Sequence, residues 1–261
     1  MIKKNQPIGV FDSGLGGLSV LSELWKLMPN EKYIYLGDSK NAPYGTKSEQ
    51  EVKKYTEENI IKLIDMGVKA VVIACNTATS VAANELREIF SIPIIGIEPA
   101  IKPAAENHKG GNIIVMATPM TLKKEKFNNL MNSYNNISNI IPLPCPNLVE
   151  IIEKGITSGK EIDDYLNKLF IPYRKERINA IVLGCTHYPF IKSSIKSLFS
   201  YDIDIFDGAK GTARETKRRL EKDGILNIEK ENGGIEFLSS LDKEEETELM
   251  KRMFELKKNM L

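Results

Sequence analysis

The sequence predicts an α/β protein built as two pseudo-symmetric domains, each an open, mostly parallel sheet. Three observations carry this reading. Two apolar runs, Ala70-Val-Val-Ile-Ala-Cys75-Asn76-Thr77 and Ala180-Ile-Val-Leu-Gly-Cys185-Thr186-His187, each end in a small residue, a cysteine and a polar cluster. A strand buried on both faces reads as such a run, and ligand contacts in an open α/β sheet collect where these strands end. The cysteines lie 110 positions apart, Glu98 corresponds to Asp207, and the Asp12-Ser13 loop corresponds to the Thr118 loop, all at offsets of 106 to 110. Short apolar runs also alternate with helical periodicity along the chain. The expected division is residues 1–97 with 208–261 as the first domain and 98–207 as the second, so that the two thiols face each other across one cleft.

The elements follow in order. Ile8 to Phe11 reads as a buried strand, and Asp12-Ser13-Gly14-Leu15-Gly16-Gly17 as the loop opening a helix with Leu18, Leu21, Trp25 and Met28 on one face. Its glycines do not match the dinucleotide fingerprint G-x-G-x-x-G. The loop is either a tight strand-to-helix turn or a set of amides that binds a carboxylate or phosphate. Lys32 to Leu36 is a second strand, followed by the polar turn-formers of residues 37–45, which include Pro43, Tyr44 and Gly45. Ser48 and Glu51 form a capping box for a helix that runs to Met66, with Gly67 as its C′ residue. The first cysteine strand spans 69–74 and a helix covers Thr77 to Phe90, which places Cys75 at a helix N-terminus, where partial positive charge favours thiolate.

Pro93 to Ile97 is a strand, and Glu98-Pro99 suits a helix start with proline at N1. The pattern then restarts: strand Ile113 to Ala117, Thr118-Pro-Met-Thr121 with a helix, a polar loop at 132–139 and strand Ile140 to Leu143. Asn147 caps a short helix that has Glu150 at N3, Glu153 in its last turn and Gly155 closing it. A helix from Lys160 to Phe170 precedes the second cysteine strand at 178–183, another helix follows Pro189, and strand Ile203 to Phe206 ends in Asp207. The tail reads helix, strand Ile235 to Leu238 and helix Lys243 to Lys258, and is expected to return to the first domain.

With 261 residues, 42% hydrophobic and 27% charged, and a formal net charge of +1, the chain has the composition of a globular protein without the electrostatic footprint of nucleic-acid binding. Three cysteines without a CxxC pair argue against a disulfide framework or a structural zinc site and for a reducing cytoplasm. The apolar run after the basic start is too short for a signal-peptide core, and no stretch reaches membrane-spanning length.

Several chemistries compete for Cys75 and Cys185. A buried structural cysteine is the plain alternative for either alone. Zinc held by Cys75, Cys185, His187 and Asp12 lacks the usual paired spacing, and a single Cys–His nucleophile leaves the second thiol unexplained. Inverting a stereocentre accounts for both, because a proton leaves one face of the carbon as another arrives at the opposite face. Asp12, Glu153 and His187 are candidates to support that pair, although Asp12 also suits a helix cap and Glu153 a surface position. Cys145, between two prolines, reads as packing.

Asp12-Ser-Gly-Leu-Gly-Gly17, Pro43-Tyr-Gly45, Ala74-Cys-Asn-Thr-Ala78, Ala117-Thr-Pro-Met-Thr121 and Gly184-Cys-Thr-His-Tyr-Pro189, in this order, resemble the bacterial glutamate racemases of the aspartate/glutamate racemase superfamily. The resemblance extends from residue 8 to Phe237-Leu-Ser-Ser. It implies cofactor-independent interconversion of L- and D-glutamate for peptidoglycan by a cytoplasmic enzyme, a homodimer whose active site lies at the interface of two α/β domains. Cys75 would act on the α-proton of D-glutamate and Cys185 on that of L-glutamate, assisted by Asp12, Glu153 and His187. Ser13, Pro43, Tyr44, Gly45, Asn76, Thr77, Thr118, Thr121 and Thr186 would hold the amino acid together with Asp12 and His187. The chain departs from the family pattern around Cys145-Pro-Asn-Leu-Val-Glu150-Ile-Ile-Glu153, which leaves two carboxylates as candidates for one role.

Overall fold

The computed structural model describes residues 3–229 and 233–260. The chain divides into two compact units, Met1–Glu98 with Ala209–Leu261, and Pro99–Gly208. The first unit opens with β1 (Ile8–Asp12), α1 (Leu18–Leu27), β2 (Lys32–Gly37), α2 (Glu49–Asp65), β3 (Ala70–Ile73), α3 (Asn76–Ile89) and β4 (Ile94–Gly96). Every residue of β1 and β3 is buried, as central parallel strands covered on both faces require. The Ser48–Glu51 capping box closes in both directions at the start of α2. Gly67 follows that helix at φ +78°, the left-handed turn that glycine adopts without strain.

The second unit runs α4 (Ile101–Asn107), β5 (Asn112–Ala117), α5 (Pro119–Lys123), α6 (Glu125–Asn132), β6 (Asn139–Pro144), α7 (Leu148–Glu153), α8 (Lys160–Leu169), β7 (Ile178–Leu183), α9 (Lys192–Lys196) and β8 (Asp204–Asp207). Two local expectations are corrected. The helix after β4 starts at Ile101 rather than at Pro99. Pro103 explains the shift, since a helix begun at Pro99 would need the N–H that Pro103 lacks, whereas a start at Ile101 puts Pro103 in the first turn, where no such donor is used. Asn147 occupies the N-cap of α7, but it sits at φ +63° and its side chain makes no capping bond. Asparagine tolerates that left-handed backbone, so its part at this helix start is conformational rather than a capping bond.

The chain then returns to the first unit with α10 (Ala209–Lys222), β9 (Gly234–Ser239) and α11 (Glu244–Asn259). The sheets are ordered β4-β3-β1-β2-β9 and β6-β5-β7-β8, and every strand pair is parallel. Aligning β5 with β1, β6 with β2, β7 with β3 and β8 with β4 gives the same four-strand order in both. Two pseudo-symmetric parallel-sheet α/β units are therefore present in topology as well as in sequence. They differ at one edge: β2 receives β9, whereas β6 is a sheet edge carrying Pro142 and Pro144, residues that cannot donate to a further strand.

One buried ion pair ties the first unit together below its sheet. Lys69 Nζ meets Glu31 Oε2 at 2.5 Å, with both side chains at most 1% exposed, and donates also to the carbonyls of Lys4 and Ile225. Glu31 accepts in turn from the Asn227 amide at 2.8 Å, so the N-terminal segment, the residues just ahead of β2 and β3, and the C-terminal tail share one charge cluster. Removing one partner strands a buried charge. Lys69→Met is therefore expected to lower stability by about 3–5 kcal/mol in urea denaturation, and Glu31→Gln added to it should restore part of the loss.

Candidate active site

In both sheets the strand order reverses beside the first strand, between β1 and β3 in one and between β5 and β7 in the other. The carboxyl ends at such a switch point form the usual ligand crevice of an open parallel sheet. Asp12 and Cys75 stand at this point in the first unit, Thr118 and Cys185 in the second.

In the first unit Cys75 is the N-cap of α3, and its Sγ accepts from the Ala78 amide at 3.4 Å and contacts Ser13 Oγ at 3.6 Å. A long helix thus presents its N-terminus to the sulfur, which stabilises negative charge there. Asp12 is fully buried, and its Oδ1 accepts from the Gly14 amide at 3.0 Å. Tyr35 Oη holds the same loop by donating to the Gly14 carbonyl at 2.6 Å. A Cβ on Gly17 would lie 2.5 Å from that of Asp12 and 3.0 Å from Tyr35 Oη, so the glycine is required by close approach. Asn76 and Thr77 are buried beside Cys75, and Asn76 Oδ1 is buried without a hydrogen-bond partner among the described residues. Pro43 and Gly45 are half-buried, Tyr44 is buried, and the Ala42–Pro43 bond is cis.

In the second unit the sulfur has a different neighbour. No α-helix starts at Cys185; a short 3-10 turn at Tyr188–Ile191 with Pro189 in its first turn delays α9 to Lys192. Instead Cys185 Sγ lies 3.7 Å from His187 Nδ1, and His187 Nε2 makes a short hydrogen bond to Glu153 Oε1 at the end of α7. Burial opposes charge on the His187 imidazole, but the Glu153 carboxylate and the hydrogen bonds to Cys185 and Glu153 outweigh it and raise the pKa well above the ordinary 6.5. Thr118 caps α5, accepting from the Thr121 amide at 3.3 Å, and the two hydroxyls lie 2.9 Å apart. Thr118, Thr121 and Thr186 are all buried. Cys145 is buried, donates to the Leu143 carbonyl at 3.3 Å, and is kept a neutral thiol by desolvation and then by the nearby Cys185. Among the described residues no group of three or more His, Cys, Asp or Glu side chains is placed to hold a metal ion.

The raised His187 value carries a sign for stability. Below pH 6.5 the imidazole is protonated in folded and unfolded chains alike and its full contribution is present; as pH rises through the folded-state value, that contribution is lost. Urea midpoints are therefore expected to fall from pH 6.5 upward, and His187→Asn is expected to flatten that slope.

The Asp/Glu/Hydantoin racemase family model matches residues 16–216. The chain belongs to this family. A Clostridium perfringens glutamate racemase is 52% identical over 255 residues, 97% of this chain and 98% of that protein. The Francisella tularensis glutamate racemase in complex with D-glutamate superposes with a TM-score of 0.83 at 31% identity, covering 97% of this chain and 94% of that one. The Escherichia coli glutamate racemase in complex with L-glutamate and the activator UDP-MurNAc-ala gives 0.83 at 29% identity, covering 95% of each. At 52% identity to glutamate racemases over nearly its full length, the chain is an amino-acid racemase, an isomerase. No helix among the described residues is long and apolar enough to cross a membrane.

Sequence reasoning singled out Asp12, Ser13, Asn76 and Thr77 around Cys75, and Glu153, Thr186 and His187 around Cys185. It missed Tyr35 and Asp38. Both lie on β2 or immediately after it, and their only sequence signal was a polar atom at the carboxyl end of a buried strand.

Proposed function

We propose that the chain interconverts L- and D-glutamate by proton transfer between two cysteines on opposite faces of the α-carbon. The observation that carries this reading is a thiol at each of two topologically equivalent switch points, with its own charge-stabilising partner. In the D-to-L direction the Cys75 thiolate removes the α-proton, and the electron pair of the broken C–H bond delocalises into the substrate carboxylate. The Cys185 thiol gives its proton to the opposite face, leaving Cys75 protonated and Cys185 as thiolate. The imidazolium of His187, supported by Glu153, stabilises that second thiolate. The reverse reaction, or exchange with water, resets the pair.

The other residues bind. Asn76 Oδ1, a buried acceptor, takes an N–H of the substrate ammonium, and the Thr77, Thr118, Thr121 and Thr186 hydroxyls, the Asp12-Ser13 loop and the Pro43-Tyr44-Gly45 turn hold the rest. By family resemblance the enzyme is a cytoplasmic homodimer that supplies D-glutamate for peptidoglycan. The test is incubation with D- or L-glutamate in deuterated water without pyridoxal phosphate, following optical rotation and α-deuteration. Inversion with deuterium at Cα is expected; the absence of both inversion and exchange refutes the reading.

A further inference from the structure

Asp38 is a buried carboxylate that the proton-transfer scheme does not use. It follows the last residue of β2 and is 1% exposed. Its side-chain partners come from the loop it opens: Tyr44 Oη donates to Oδ2 at 2.6 Å, and Asn41 Nδ2 donates to each oxygen at 3.1 Å. These donors are neutral, so among the described residues the carboxylate completes no ion pair, and its removal from water is offset by hydrogen bonds to its own loop. Its main-chain N–H donates to the Asp12 carbonyl at 3.0 Å, which joins the ends of β1 and β2 beside the Asp12-Ser13 loop.

The loop is also held by the Lys40 amide, which donates to Ser240 Oγ at 3.0 Å, and by the Tyr44 ring, 6.1 Å from that of Tyr55. Its regular structure is two 3-10 turns of three residues, Ser39–Asn41 and Tyr44–Thr46. Tyr44 anchors it by burying its ring, 1% exposed and 6.2 Å from the Phe11 ring. Burial and then the charge of Asp38 keep the phenol protonated far into the alkaline range, so it remains a donor to Asp38. The Tyr44–Thr46 turn also packs against α3, whose N-cap is Cys75, which sets the anchor beside that helix. The hydroxyl already engaged by Asp38 is an anchor rather than a substrate donor, and the turn meets its ligand through other atoms.

We infer that Asp38 is a positioning residue for substrate recognition: through Tyr44 and Asn41 it fixes the Pro43-Tyr44-Gly45 turn beside Cys75, so that the turn is preorganised before the amino acid arrives. The inference rests on the glutamate racemase reading above.

The experiment compares wild-type protein, Asp38→Asn, Tyr44→Phe and the double variant, measuring kcat and KM for L- and D-glutamate and the thermal midpoint of each. Losing a charge-assisted hydrogen bond that orders a binding loop should raise KM about tenfold for both enantiomers, with kcat changed less than about threefold. The double variant should be no worse than the poorer single variant, because both remove one interaction. Additive effects, a fall in kcat at unchanged KM, or a lowered thermal midpoint with wild-type KM would overturn the assignment. Should Asp38→Asn fail to fold, Tyr44→Phe alone decides, and a wild-type KM in that variant overturns it. Wild-type protein that turns over glutamate while the variants keep its KM refutes only the role of Asp38; wild-type protein that does not turn it over refutes the glutamate reading as well.

Discussion

Replacing Cys75 or Cys185 with alanine is expected to lower racemisation by about 10³-fold or more in either direction, the scale of a lost general acid or base at an unactivated carbon. Because enantiomers are equally stable in water, kcat/KM must fall by the same factor in both directions, and the steady state cannot reveal which thiol serves which face. Deuterium exchange can. In Cys185→Ala the remaining thiol still removes and returns the α-proton of D-glutamate, so D-glutamate should become α-deuterated without L-glutamate appearing. In Cys75→Ala the same should hold for L-glutamate. Racemisation above about a tenth of wild type in either variant contradicts a mechanism that needs both general acid–base groups. Exchange into the wrong enantiomer refutes the assigned directions. Folding should survive, since each thiol is a small side chain at a strand end and its removal leaves a minor cavity.

The two halves share a topology and differ in how they stabilise sulfur, and that difference tracks a few residues. After Cys75 the run Asn76-Thr-Ala-Thr continues directly into the helix α3, so the thiol inherits a helix N-terminus. After Cys185, Pro189 belongs to a 3-10 turn and the next α-helix begins seven residues past the cysteine, so that charge stabilisation is absent and His187 takes its place. The internal duplication therefore supplies two equivalent positions, and local sequence makes their chemistry unequal.

That asymmetry also marks what could be read from the chain. The strands were legible because central parallel strands must be apolar on both faces, as Ala70–Ile73 is and as β7 is from Ala180 to Leu183. The capping box at Ser48 was legible because its two hydrogen bonds depend on a spacing of three. Pairings across the fold were not. His187 and Glu153 are 34 residues apart on different elements, and nothing local in α7 distinguishes Glu153 from Glu150. Asp38 resembles any loop aspartate until its burial against Tyr44 is seen. The start of α4 was missed for a local reason, the second proline at 103, whose missing N–H outweighs the preference of Pro99 for N1.

The choice between the two carboxylates of α7 leads to the second large expected effect. Glu153 lies in the last turn of α7 and hydrogen-bonds His187, while Glu150, in its first turn, is half-buried. Glu153→Gln keeps the volume and a hydrogen-bonding oxygen but removes the carboxylate charge that raises the His187 value, leaving Cys185 alone to oppose burial. The imidazole should then carry less positive charge at working pH and stabilise the Cys185 thiolate less. The expected result is a fall in kcat of about 10²-fold, at the low end for a lost acid–base function because the thiols themselves remain. In the pH profile, any alkaline limb due to His187 should move to lower pH, since a neutral partner replaces the carboxylate that favoured the imidazolium. Glu150→Gln should leave kcat within about threefold of wild type, as expected for a side chain outside the relay. Equal losses in the two variants would show that α7 acts through its overall charge rather than through the Glu153–His187 contact. An unchanged pH profile in Glu153→Gln would mean that His187 does not stabilise the thiolate as an imidazolium.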